Sequence, residues 1–278
     1  MSLFLVGLGL GDEKDITVRG LEIVKECDEV WLESYTSILG ADREKLASYY
    51  GREVKEASRE TVESEMEKIL TKEKKIAVLV VGDPLCATTH TDLALRARSR
   101  GLHVEFIQNA SVMAAVGRTG LQLYRFGQTV SIPYYDDDWR PRSFYDKIAV
   151  NAAADLHTLC LLDIKTKEPD YVELAKSGRK RFLPPRFMSI TEAIDQLLEC
   201  EQIEMRGITN CNTLGIGLAR LGQPDQRIVA APLSKLRSLD FGAPLHSLVI
   251  CASLHELELE FLSTFYAFSP SSQLLSSQ

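Results

Sequence analysis

The sequence predicts an α/β protein of two domains, with a parallel sheet in the N-terminal domain and a mixed sheet in the C-terminal one. Three observations carry this prediction. The first half alternates short β-branched apolar runs with segments of helical periodicity, the pattern of a parallel sheet covered by helices. The second half passes from strand to strand with fewer helices between them. The halves meet at "YYDDDWRPR" (134–142), where acids, aromatics and Pro141 interrupt the pattern. Domains are therefore expected at 1–133 and 134–268, followed by a polar tail, "SPSSQLLSSQ" (269–278), expected to be disordered.

In chain order, "LFLVG" (3–7) is a buried strand, and "ITVRGLEIVKEC" (16–27) is a helix with Asp15 as its expected N-cap. "EVWLES" (29–34) is the second strand. Val62, Met66, Ile69 and Leu70 fall at i, i+4, i+7 and i+8, one face of an amphipathic helix. "KIAVLVV" (75–81) is apolar without alternation, as a strand covered on both faces should be. "TTHTDLALRARSRG" (88–101) is helical and closes on Gly101. "HVEFIQ" (103–108) and "TVSIP" (129–133) are strands on either side of a helix starting near Ser111. Beyond the crossing come "HTLCLLDIK" (157–165), a helix over "MSITEAIDQLLEC" (188–200), strands in "NTLGIGLAR", "RIVAAPL" and "HSLVICA", and a last helix in "LHELELEFLSTFYAF" (254–268).

Composition narrows the function classes. Hydrophobic residues are 45% and charged residues 26% of the 278, a globular balance. A net charge of −7 argues against broad binding to nucleic acid or anionic membrane. No apolar run approaches the roughly 20 residues that span a bilayer, and the N-terminus lacks the basic region of a signal peptide. The six cysteines, Cys27, Cys86, Cys160, Cys200, Cys211 and Cys251, form no CxxC and are expected to be reduced thiols of a cytoplasmic protein. The five histidines are scattered, so no metal site is expected.

Three loops that follow strands carry the functional signal. The first is "GLGLG" (7–11). A dinucleotide loop has GxGxxG, but here Gly7, Gly9 and Gly11 give GxGxG and Asp12 stands at the next position, followed by Glu13, Lys14 and Asp15. A pyrophosphate would meet acids there, although Glu33 lies where a ribose-binding acid would sit. The second loop is "GDPLCATTH" (82–90) and the third is "QNASVMAAVGRTG" (108–120). In an open parallel sheet, ligands sit outside the carboxyl ends of the strands, so these loops should face one crevice. Residues 7–11, 82–90 and 109–115 contain no lysine or arginine to meet a phosphate. S-adenosylmethionine fits such a crevice, because its sulfonium is cationic and its amine, hydroxyls and adenine seek acceptors and backbone groups. An NAD-binding oxidoreductase and a plain tight turn are the other readings of the first loop.

Together, "VGLGLGDEKDIT", "VVGDPLCATTH", "QNASVMAAVG", "HTLCLLDIK", "GLARLG" and "GAPLHSLVI" resemble the diphthine synthases, a family of the tetrapyrrole-methylase superfamily, over nearly the whole chain. The resemblance implies two α/β domains of the tetrapyrrole-methylase type binding S-adenosyl-L-methionine, and a homodimer. It implies cofactor contacts at Leu10, Asp83, Cys86, Ser111 and Val112, with Leu162, Leu221 and His246 added by the second domain. Relatives carry glycine at the position of Cys86. The implied substrate is translation elongation factor 2, at a histidine already bearing a 3-amino-3-carboxypropyl group. Bulk at Gly9 or Ser111 is expected to block binding and leave the fold intact, and Asp83 is expected to face the cationic ligand. No residue is singled out as a general base, and His246 is expected to hydrogen-bond rather than carry protons. The basic run "SGRKRFLPPRF" (177–187) reads as a solvated loop or, alternatively, as a docking patch for the elongation factor.

Overall fold

The structure, a computed structural model, describes residues 2–33, 35, 39–70, 73–166, 168, 170, 175–178 and 181–265. The polar tail and the pair Arg179 and Lys180 lie outside the described residues.

The chain divides into two compact units. The first comprises Met1–Ala115, Ile164–Arg186 and Gly222–Pro224; the second comprises Val116–Asp163, Phe187–Leu221 and Asp225–Gln278. The sequence reading places the division at 133/134 instead. Strand pairing accounts for the difference: "TVSIP" forms a strand, Val130–Ile132, that pairs with Thr158–Leu162 of the second unit.

The first unit is built on five strands, β1 (Ser2–Gly7), β2 (Glu29–Glu33), β3 (Lys55–Ala57), β4 (Lys75–Val80) and β5 (His103–Ile107). Their order is β3-β2-β4-β1-β5 and every pairing is parallel. β3, "KEA", carries no apolar run to announce it. Helices cover both faces. Leu3, Leu5, Val78 and Val80 pack on one side with Leu93, Ala94 and Ala97 of a helix at His90–Ser99. Val6, Leu8, Ala77 and Leu79 pack on the other with Val24 and Leu46, from helices at Val18–Glu26 and Arg43–Tyr50. Adjacent residues of β1 and β4 thus enter opposite cores, which is why these strands read as continuously apolar. The amphipathic segment at residues 61–69 is helical as expected, beginning as a π-turn at Thr61–Glu65 and continuing at Met66–Ile69.

The second unit contains β6 (Val130–Ile132), β7 (Thr158–Leu162), β10 (Leu214–Ala219), β11 (Arg227–Pro232) and β12 (His246–Ile250), while a short pair, β8 (Ile164–Lys165) and β9 (Arg186–Phe187), falls in the first unit up to Arg186. The five longer-range strands run in the order β11-β10-β12-β7-β6. β6 and β7 are parallel and the other pairings antiparallel, so the sheet is mixed, as the sequence predicts. Its main helix, Ile190–Glu204, starts with a reciprocal cap in which Ser189 and Glu192 satisfy each other's backbone N–H groups.

Candidate functional site

The first unit has a topological switch. After β1 the chain leaves toward β2 on one side, and after β4 it leaves toward β5 on the other, while β1 and β4 are neighbours. Loops leaving in opposite directions open a crevice at the carboxyl ends of the strands, which is the usual ligand position of an open α/β sheet.

The glycines of the first loop are there to meet protein. Gly9 N–H donates to the Gly82 carbonyl at 3.2 Å and Gly82 N–H donates to the Gly9 carbonyl at 2.8 Å, so the first and second loops are stitched together. A Cβ on Gly7 would lie 2.7 Å from the Gly82 oxygen, and one on Gly9, whose φ is +73°, would lie 2.8 Å from Asp15 Cβ. A Cβ on Gly11 would lie 2.8 Å from Asp15 Oδ2. No side chain fits at these approaches, and at Gly9 the backbone conformation also favours glycine. The expectation that bulk at Gly9 spares the fold is therefore corrected: a valine there collides with protein before it meets a ligand.

The acids after the glycines are also committed. Asp12 accepts from Lys14 N–H at 2.9 Å, and Glu13 pairs with Lys45 at 2.9 Å. Asp15 accepts from Gly11 N–H at 2.8 Å. Asp15 is thus not the N-cap of the first helix. Thr17 is, accepting from Gly20 N–H at 3.0 Å.

Asp83 is 4% exposed, and both carboxylate oxygens accept backbone N–H groups, from Leu85 at 2.8 Å and from Asn109 at 2.9 Å. Its carboxylate binds the second loop to the third. Asn109, which the sequence reading did not single out, finishes the knot. Its Nδ2 donates to the carbonyls of Gly7 and Asp15, each at 2.9 Å, and its Oδ1 accepts from Ala110 N–H at 2.7 Å. Its signal was an Asn at a strand end just before a helix start, a position that also suits an ordinary turn.

Around Gly82 the three loops come within van der Waals reach. A Cβ built there would lie 3.9 Å from Leu10 Cδ2 and 4.0 Å from Ser111 Cα. Ser111 is buried, its carbonyl accepts from Ala114 and Ala115, and Val112 opens the short helix Val112–Ala115. Cys86 is half-buried, and Cys86 N–H donates to the Asp83 carbonyl at 3.2 Å. Leu10, Asp83, Ser111 and Val112 therefore sit on loops that the hydrogen bonds bring together, and Cys86 shares a turn with Asp83. Leu10 also packs on Gly222, where a Cβ would lie 2.7 Å from Leu10 Cβ. Leu221 precedes Gly222 in the chain.

The remaining expected residues belong to the second unit and are described within it. Leu162 ends β7 and is buried in that core. His246 opens β12, where its Nε2 lies 3.1 Å from the Ala243 carbonyl and its ring meets Phe241 edge-on. Burial holds its pKa below the ordinary histidine value. A neutral ring donating Nε2–H to Ala243 is a hydrogen-bonder at that nitrogen and not a base.

The three loops thus form a glycine-stitched crevice at the switch point of a parallel sheet, the usual ligand position of such a sheet. Comparison with known proteins places it. The sequence model of the Tetrapyrrole (Corrin/Porphyrin) Methylases matches residues 2–237, and the chain belongs to that family. It is similar to the diphthine methyl ester synthase of Homo sapiens, with 52% identity over 271 residues, 95% of this chain and 94% of the human one. It is also similar to the diphthine methyl ester synthase of Schizosaccharomyces pombe, with 50% identity over 265 residues, covering 94% and 93% of the two chains. A crystal structure of diphthine synthase superposes with a TM-score of 0.81 at 34% identity, covering 96% of each chain. The chain is a methyltransferase of the diphthine synthase type. Among the described residues, no helix is long and apolar enough to cross a membrane.

Proposed function

We propose that this chain transfers methyl groups from S-adenosyl-L-methionine to the modified histidine of translation elongation factor 2 in diphthamide biosynthesis. The amine is trimethylated and the carboxylate is then esterified, giving diphthine methyl ester. The observation that carries this reading is near-full-length identity of about half to relatives named for that product, in organisms as distant as Homo sapiens and Schizosaccharomyces pombe. The same reading includes a homodimer acting in the cytoplasm.

The loops fit the cofactor. Residues 7–11, 82–89 and 109–115 bear no cation, so nothing there repels a sulfonium or requires a phosphate. Leu10, Cys86, Ser111 and Val112 would supply small and apolar surface, and Asp83 would hold the loops that carry them. The cofactor supplies an electrophilic methyl on a positively charged sulfur, with a neutral thioether as leaving group. The protein's task is to exclude water and bring the acceptor atom to about 3–3.5 Å of the methyl. A carboxylate acceptor is already deprotonated and needs no base. An amine must first lose a proton, and Asp83, the one carboxylate of these loops, already has both oxygens engaged by N–H groups. Solvent is the proton acceptor in this reading.

Mass spectrometry of the modified elongation-factor peptide tests it, with digestion kept away from alkali so that an ester survives. Four added methyls are expected under excess cofactor. A series ending at three would remove the esterification, and no methylation would remove the function.

A further inference from the structure

His90 is the first residue of the helix His90–Ser99 and is 0% exposed. It shares the inward face of that helix with Leu93, Ala94 and Ala97. Neither ring nitrogen has a hydrogen-bond partner among the described residues. Burial alone pushes its pKa down to about 4, so the ring is neutral, with one donor and one acceptor nitrogen. A buried imidazole with two unmet nitrogens is an exception among native polar groups, nearly all of which are paired. Of the polar groups close to it in the chain, Thr88 Oγ1 donates to the Pro84 carbonyl at 2.8 Å, and Asp83 accepts from the Leu85 and Asn109 N–H groups.

The position of His90 follows from the topology. Side chains of a helix lean toward its N-terminus, and the N-terminus of a helix that follows a parallel strand lies at the carboxyl edge of the sheet. His90, at the start of the helix that follows loop 82–89, therefore lies at the edge where loops 7–11, 82–89 and 109–111 converge.

We propose that His90 is a positioning residue of this crevice: its neutral imidazole, which has no accessible surface in this fold, is uncovered as the loops part to admit the S-adenosyl ligand and then hydrogen-bonds a polar group of it. The inference rests on the methyltransferase reading above. It separates His90 from the core residues around it: a histidine kept only for packing is replaced without loss by a ring of similar size.

The test uses the full chain with S-adenosylhomocysteine as probe. His90→Phe keeps a planar ring and removes both unmet nitrogens, so its ligand-free form should melt at the same temperature as the wild type or higher. Its affinity for S-adenosylhomocysteine, measured by calorimetry, should fall at least tenfold. The imidazole nitrogen resonances of His90 in the wild type, assigned by their loss in His90→Gln, should shift on addition of the ligand. Unchanged affinity in His90→Phe, or resonances that do not respond while the wild type binds, would overturn the role of His90. A wild type that does not bind S-adenosylhomocysteine at all would instead overturn the cofactor reading on which it rests.

Discussion

Asp83 shows how one residue can matter to a site by holding its loops together. Its oxygens are occupied by the N–H groups of Leu85 and Asn109, so its charge is already compensated by backbone donors. Asp83→Ala should therefore lower stability as well as affinity. Two part-buried N–H groups lose an ionic acceptor, at most on the order of 1.5–3 kcal/mol each. Denaturant unfolding checks this, and a variant that weakens ligand binding at unchanged stability would show that the carboxylate acts on the ligand itself. Asn109→Ala should cost about 1–3 kcal/mol through the carbonyls of Gly7 and Asp15. Ser111 is buried, so Ser111→Trp should lower stability as well as ligand affinity, which corrects the expectation that bulk there leaves the fold intact.

His90 adds a pH dependence of stability. Its pKa falls from 6.5 in the unfolded chain to about 4 in the fold. The unfolded state therefore binds the proton more readily, so the stabilising contribution is full above 6.5 and is lost as pH falls from 6.5 to 4. The loss amounts to about 3 kcal/mol. His90→Phe should flatten that part of the stability–pH curve, as read by urea unfolding at a series of pH values. The residue scale is also where the sequence said least. Gly9, Asp83 and Ser111 were visible as a pattern, but that Gly9 meets Gly82, or that Asn109 ties three loops, depends on contacts between residues up to 102 positions apart.

At the scale of elements, the strands and helices with strong periodicity were legible. β1, β4 and the helix at His90–Ser99 follow from apolar runs and helical spacing, because burial on two faces or one leaves an unmistakable pattern. β3 escaped because "KEA" takes its strand character from pairing with β2. The Thr17 cap escaped because Asp15, a better cap by residue type, is drawn away to Gly11. Two elements carry predictions. Ser189→Ala removes half of the reciprocal cap on Ile190–Glu204 and should cost about 1 kcal/mol in unfolding free energy. Glu201, in the last turn of that helix, accepts from Gly207, Ile208 and Thr209 N–H groups and from the Tyr145 hydroxyl. Burial alone would raise its carboxyl, but these donors hold it down at about 2. Its contribution is present above the ordinary value of 4.5 and is lost as pH falls through 2, so Glu201→Gln should reduce stability at pH 6 and matter little at pH 2.

At the scale of the molecule, ligand linkage gives the most direct check of the cofactor. S-adenosylhomocysteine at a hundredfold excess over its Kd should stabilise the fold by about 2.7 kcal/mol, a rise of about 5 °C in Tm, whereas NAD and ATP should leave it unchanged. The class of each sheet was legible from the order of strands and helices. The division after Ala115 was not, because "YYDDDWRPR" interrupts the periodicity without separating the two cores.

That division has a consequence for how the chain is made. The first unit takes in residues 164–186 and 222–224 as well as 1–115, and Leu10 packs against Gly222. On a ribosome adding roughly 5–20 residues each second, about 5 to 20 s pass between the synthesis of residue 115 and that of residue 224. Through that interval the five parallel strands have been synthesised but the glycine loop lacks its last neighbour. The unit that begins the chain is thus finished late, and a nascent chain stalled at residue 160, with the five strands clear of the ribosome, should be more open to protease within residues 7–11 than one stalled at residue 265, with Gly222 clear of it as well.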